Sequence, residues 1–325
     1  MRNSYKKTIS VRNYAIIIKY FILIVFICLA LSTSGLADEN LLQKVSAAYE
    51  KEDFDMLKDL AEEWMDDEPE NAVPVYLLSY SYYILNYPDE ARETLSRAAS
   101  MDSEFEQLLE FAEQLNEAIP GNYYSKVMLG DAYARANRND DALSVLEKAI
   151  SRNPDKFIAY FVLGHTHMKL DDSENAEKNL KRTVEENPDF LKGYIYLGFF
   201  HARKENYDEA EKVYIKGILK NEELGNRTAV IHLYLANSML SAEEYERALS
   251  IVYDALEISP DNPGISLLLG DVYRRKGELE KAEEIYRESY KYVPSRGDVY
   301  RETLDSRIES IERIREAEER KLDWR

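Results

Sequence analysis

Residues 157–190 read FIAYFVLGHTHMKLDDSENAEKNLKRTVEENPDF, and their spacing of large and small residues returns on both sides. Leu163-Gly164, Ala176 and Pro188 match Leu129-Gly130, Ala142 and Pro154 one unit upstream. Leu197-Gly198 and Ala210 follow one unit downstream, and Leu269-Gly270, Ala282 and Pro294 come later with the same internal spacing. The period is 34 residues. A unit this short cannot bury its apolar face alone, so stacked copies share one core and leave long surfaces exposed. The repeat therefore argues for a binding scaffold without naming what is bound.

The unit that begins at Tyr123 predicts two helices. Leu129, Gly130 and Tyr133 fall on one face at helical spacing, and Ala142, Leu146 and Ala149 form a second stripe. Between them Asn137-Arg138-Asn139-Asp140 supplies a polar turn, and Asn153-Pro154-Asp155 closes the unit, because proline disfavours helix at the residue before it.

The pattern resembles the tetratricopeptide repeat, whose signature runs through Leu-Gly, a tyrosine, Ala, an aromatic, Ala and Pro. Tyr160, Leu163, Gly164, Ala176, Leu180 and Pro188 fit it, as do Leu269, Gly270, Tyr273, Ala282, Tyr286 and Pro294. Two units depart: from Leu191, Glu222 stands where the proline belongs, and from Ala229, Leu235-Ala236 replaces Leu-Gly after an insertion at 225–228. The resemblance implies an all-α fold, a right-handed superhelical α-solenoid of stacked hairpins. Five such units are expected over 123–296 and a further repeat-like one over 72–102, where Leu78, Tyr82, Ala91, Leu95 and Ala98 fit. An amphipathic extra helix at 103–119 interrupts the register, a degenerate hairpin at 38–71 precedes the array, and a charged helix at 297–325 caps it.

Residues 1–37 stand apart. Arg2, Lys6, Lys7, Arg12 and Lys19 come without an acidic residue, Tyr20 to Leu31 is apolar, and Ser32 to Ala37 are small or polar, apart from Leu36. This is the layout of a secretory signal with cleavage after Ala37, and the apolar run is short against the ~20 residues that span a membrane. The alternative is an uncleaved anchor, which would be the chain's only membrane attachment. The expected location is extracytoplasmic, periplasmic or secreted. Cys28 is the only cysteine and falls in this segment, so the rest has no disulfide or cysteine metal ligand to draw on. Without the segment, 37 basic residues face 61 acidic ones, a surface that repels nucleic acid.

No phosphate loop, nucleophile elbow or zinc-spaced histidine pair is present, so the reading is a non-enzyme without cofactor or metal. His167 and His201 take the eleventh place of their units, where Tyr133 and Tyr273 stand in others, and His232 takes the place of Tyr160 and Tyr194; all three replace aromatics. The Asn226-Arg227-Thr228 glycosylation acceptor lies in the inserted loop and matters only in a host that modifies exported chains.

The resemblance also implies an inner groove lined by the second, fifth, ninth and twelfth places of each first helix. Those places hold Tyr76, Tyr80 and Tyr83, then Val127, then Phe161, His165 and Met168, then Ile195 and Phe199, then Leu233 and Leu267. Family members that clamp a peptide's terminal carboxylate use Lys, Asn and Arg on this face; the fifth places here are apolar or aromatic, so that clamp is absent. A helix apolar on both its core and groove faces is usually covered all round. A partner's amphipathic helix or apolar segment would cover it, or else tight winding of the array or its extra helix. The expected function is an exported adaptor binding protein through an apolar concave groove. The alternative is a ligand-binding accessory of an extracytoplasmic transport system.

Overall fold

The computed structural model describes residues 39–293 and 298–323, and the expected signal lies outside them. Among the described residues there are sixteen α-helices and no strand. The first four are α1 Glu39–Lys51, α2 Phe54–Asp67, α3 Ala72–Ile84 and α4 Pro88–Met101. Then come a single helix, α5 Glu106–Ala118, and five hairpins. The hairpins are α6 Tyr123–Arg135 with α7 Asn139–Arg152, α8 Phe157–Lys169 with α9 Ser173–Glu186, α10 Leu191–Arg203 with α11 Tyr207–Glu223, α12 Val230–Ser241 with α13 Tyr245–Ile258, and α14 Pro263–Lys276 with α15 Leu279–Ser289. Helix α16, Asp298–Asp323, packs on α15 and α14 and closes the core with Leu304, Ile308 and Ile311.

Every hairpin turns in the same way. One residue takes the left-handed conformation, Glu52, Asn86, Asn137, Asp171, Glu205, Glu243 and Gly277 in succession, with φ between 55° and 85°. The next backbone N–H donates to a carbonyl five residues back, as Arg138 does to Tyr133 at 2.8 Å and Glu278 to Tyr273 at 2.9 Å, a bond that satisfies an otherwise orphaned helix C-terminus. Glu52 lies 34 residues before Asn86, so α1–α2 share this turn although they lack Leu-Gly.

The Leu-Gly glycine lets the two helices of a hairpin touch. A Cβ on Gly164 would lie 2.7 Å from Leu180 Cγ and 3.2 Å from the Leu180 backbone nitrogen, and one on Gly270 would lie 2.3 Å from the Tyr286 ring. Where the chain has Ala236, the facing residue is Val252, smaller than the Leu146, Leu180, Tyr214 or Tyr286 at that place elsewhere. Volume is conserved across the contact.

Helix α5 changes the direction of the stack. It begins 34 residues after Ala72, where the first helix of a new unit is due, but no second helix follows before α6. It packs on α6 and α3 and also touches α1. Asp102 fixes its start, accepting from the backbone N–H groups of Glu106 at 2.9 Å and Leu108 at 3.2 Å, and Gln107 Oε1 accepts from Ala72 N at 3.0 Å to cap α3. With this half-unit inserted, the inner faces of α1 and α3 turn toward those of α6, α8 and α10. Tyr49 Oη donates to Met128 Sδ at 3.5 Å, Tyr49 and Tyr124 have ring centroids 6.3 Å apart, and Lys192 Nζ lies 3.0 Å from the Tyr83 ring centroid. Polar contacts bridge the same gap. Asn86 Nδ2 donates to the Asp189 carbonyl at 2.9 Å, Asn86 Oδ1 accepts from Leu191 N at 3.3 Å, Thr228 bonds Asp89, and Lys156 pairs with Glu52.

Candidate functional site

The groove lining divides into a covered part and an open part. Tyr76, Val127, Phe161, Met168, Ile195 and Leu233 are buried; Tyr80, Tyr83, His165 and Leu267 are partly so; Phe199 alone is exposed, at 39%. The lining is therefore not one continuous open groove. Its first stretch is filled by the chain itself, because the Tyr76, Tyr80 and Tyr83 face of α3 and the Val127 and Phe161 face of α6 and α8 are both apolar and meet each other. Phe161 packs edge-on against Tyr196 at 4.9 Å and Phe190 at 5.5 Å. The extra helix region contributes at one end, where Tyr76 stacks near Phe105 at 6.0 Å and donates to the Asp102 carbonyl at 3.3 Å.

The closed interface holds charges that a reading by apolar class passes over. Asp131 and Lys192 occupy the ninth and second places of their units, positions already assigned to the groove, so the signal was present in the register. Arg135 Nε donates to Asp131 at 2.7 Å, one turn along α6. Burial pushes the Asp131 carboxyl up, but the Arg135 charge and hydrogen bond, with Lys192 beyond them, outweigh it and hold the group below the usual carboxylate range. Lys192 is 8% exposed and its ammonium sits among the rings of Tyr83, Phe161 and Tyr196, at 3.0, 4.8 and 5.6 Å. Burial and then the Arg135 charge push its pKa well down, against Asp131. His165 is pushed down to about 4, first by burial, with Arg135 and Lys192 adding to it against the pull of Asp131, so its imidazole is neutral at pH 7.

The open part lies further along. His165, Met168, Lys169, Ile195, Tyr196, Phe199, Arg203 and Tyr234 line a concavity of about 150 Å³. Phe199 and Tyr234 rings meet edge-on at 6.2 Å, giving an aromatic floor, while Lys169 and Arg203 at the ends of α8 and α10 make the rim cationic in an acidic protein. Arg203 is 3.6 Å from Asp171. At the mouth between the two halves a larger cleft of about 590 Å³ opens between α4 and the α13–α14 turn, with Arg92, Glu93, Arg227 and Asn262 on its walls.

The aromatic replacements read from the histidines have mixed surroundings. His201 is buried without a partner for either ring nitrogen, His167 Nδ1 lies 3.1 Å from Asp172 Oδ2, and His232 Nδ1 is 3.1 Å from the Thr228 carbonyl. Among the described residues no three His, Cys, Asp or Glu side chains gather in a metal-binding group, and no helix is long and apolar enough to cross a membrane.

A sequence model described as the tetratricopeptide repeat matches residues 133–191 and 239–293, covering parts of the hairpins that share this turn and this glycine contact. These residues are tetratricopeptide repeats. Among solved structures it is similar to yeast Tom70, with a TM-score of 0.54 at 15% identity over 82% of this chain and 60% of that one. It also resembles a thermophilic tetratricopeptide protein of Thermus thermophilus, at 24% identity and TM-score 0.47 over 57% of this chain and 98% of that one. A tetratricopeptide protein from Parabacteroides merdae gives 16% identity and TM-score 0.49 over 83% and 98%. At these identities the likeness concerns the fold alone. A comparison with curated proteins finds no match. Tetratricopeptide arrays act as scaffolds for protein partners, which is the function class this fold supports.

Proposed function

We propose that this tetratricopeptide-repeat protein is an exported adaptor that captures a protein partner on the uncovered part of its inner face. The observation that carries the reading is Phe199, an aromatic left 39% exposed at the ninth place of its unit, where the aromatic rings of Tyr80 and His165 are partly buried. An exposed aromatic beside an aromatic floor supports an interaction role better than an accident of packing. The occupant is a short segment of a partner protein that inserts an apolar side chain between Phe199 and Tyr234. An acidic residue of that segment faces Lys169 and Arg203, whose charge complements it. Export rests on the composition of residues 1–37.

Phe199→Asp tests the surface. The variant keeps its helical circular dichroism, because the side chain is half in solvent, and loses capture of the partner that the wild-type chain retains from its native host. Undiminished capture by the folded variant rejects this surface. Phe161 is unsuited to the same test, since an aspartate there would be buried against Phe190 and Tyr196. Intact mass measured on the chain from that host shows residue 38 as the first residue if the signal reading holds, and Met1 or Arg2 if the segment is kept.

A further inference from the structure

The interface between the two halves of the array brings three donor groups to one space, and one of them is buried without a partner. Lys192 makes no hydrogen bond or ion pair with a described residue and rests only on ring faces. The Tyr80 hydroxyl is buried with no partner. Arg135 spends its Nε on Asp131, and its side chain, 19% exposed, brings the terminal nitrogens to the same space. All three line a cavity of about 40 Å³ whose wall also carries Ser79 and the Asp131 carboxylate, the latter held by Arg135, and is otherwise apolar, with Tyr83, Leu108 and Phe161.

Buried donors in native proteins are nearly always matched, and an ammonium needs more than a ring face, since it has three N–H groups to satisfy. The charges leave room for an anion as well. Arg135 and Asp131 offset each other, burial and the Arg135 charge disfavour the ammonium form of Lys192, and His165 beside them is neutral at pH 7. Water would offer acceptors but no charge. A carboxylate supplies two acceptor oxygens and a negative charge that favours the ammonium of Lys192, and its small alkyl part suits the apolar wall. The space has room for a few water molecules at ~10–15 Å³ each, which sets the scale of the group it takes.

We propose that this cavity binds a small carboxylate, of acetate to propionate size, with Lys192, Arg135 and Tyr80 as its donors. The site exists only because α3 closes over α6, α8 and α10, since Tyr80 comes from one side and Arg135 and Lys192 from the other. It is separate from the Phe199 surface, so partner capture and carboxylate binding fail or succeed independently.

The test is a thermal melt and calorimetric titration of the full chain with sodium acetate and sodium propionate, against sodium chloride at matched ionic strength. The carboxylates raise the melting temperature by several degrees with saturation, and chloride does not. Lys192→Met abolishes the saturable rise while melting at or above the wild-type temperature without ligand, because the variant no longer buries an amine whose solvation is lost there. Tyr80→Phe, which keeps the ring and removes one donor, weakens binding up to about tenfold. The proposal is overturned if neither carboxylate gives a saturable response, if chloride matches them, or if Lys192→Met responds as the wild type does.

Discussion

At the residue scale, the contact between the two helices of each hairpin sets the volume that its side chains can occupy. Gly164→Ala places a methyl against Leu180 and its backbone and costs about 1–3 kcal/mol, read from the urea midpoint. Adding Leu180→Val recovers most of that loss, since Ala236 facing Val252 already solves the same contact in this chain. An unrecovered double variant would remove the volume argument. His165 gives a second prediction, in pH. Its folded pKa of about 4 lies below the ordinary 6.5, so between these values the unfolded chain binds the proton and the folded chain does not. Stability therefore falls as pH drops from about 6.5 toward 4, by an amount on the order of 3 kcal/mol for this residue. In His165→Gln the slope between pH 6.5 and 5 is shallower; an unchanged slope contradicts the assignment. The glycine contact was legible in the sequence because it recurs every unit. Lys192 and Asp131 were not, because a groove assessed by its apolar majority hides two charges whose meaning depends on what lies opposite.

At the scale of elements, the turns and α5 do different work. Seven turns built on one left-handed residue keep each hairpin alike, and the polar runs such as Asn137 to Asp140 announce them. Helix α5 breaks the pattern, and its position depends on Asp102, whose carboxylate holds the first turn through two backbone N–H groups. Asp102→Ala costs about 1–2 kcal/mol, the range of a lost N-cap, and hydrogen exchange speeds first at residues 106–108. Exchange that speeds uniformly along the array would place the role of Asp102 elsewhere. The helical spacing of Leu108, Ala112 and Leu115 is plain in the sequence. Which neighbours these residues meet is not, since a missing second helix shows only as a gap in the register, and the direction of the resulting turn is decided by packing between segments about 100 residues apart.

At the scale of the molecule, the array closes its own groove. Two apolar inner faces, one from α1 and α3 and one from α6, α8 and α10, cover each other and leave a polar pocket around Asp131, Arg135 and Lys192 and a short open strip around Phe199. That arrangement accounts for helices apolar on nearly every side in a chain with a strongly acidic exterior. It also leaves open only a fraction of the inner surface that the repeat alone suggests. The closure makes a direct demand on residues 139 positions apart, Asp89 at the start of α4 and Thr228 before α12, whose side chains touch. The decisive measurement is disulfide formation in Asp89→Cys, Thr228→Cys on a Cys28→Ser background under mild oxidation. The account predicts a rapid intramolecular bond, seen as a faster-migrating monomer that reverts on reduction. A folded double variant that keeps both thiols free, as an open solenoid would, contradicts it.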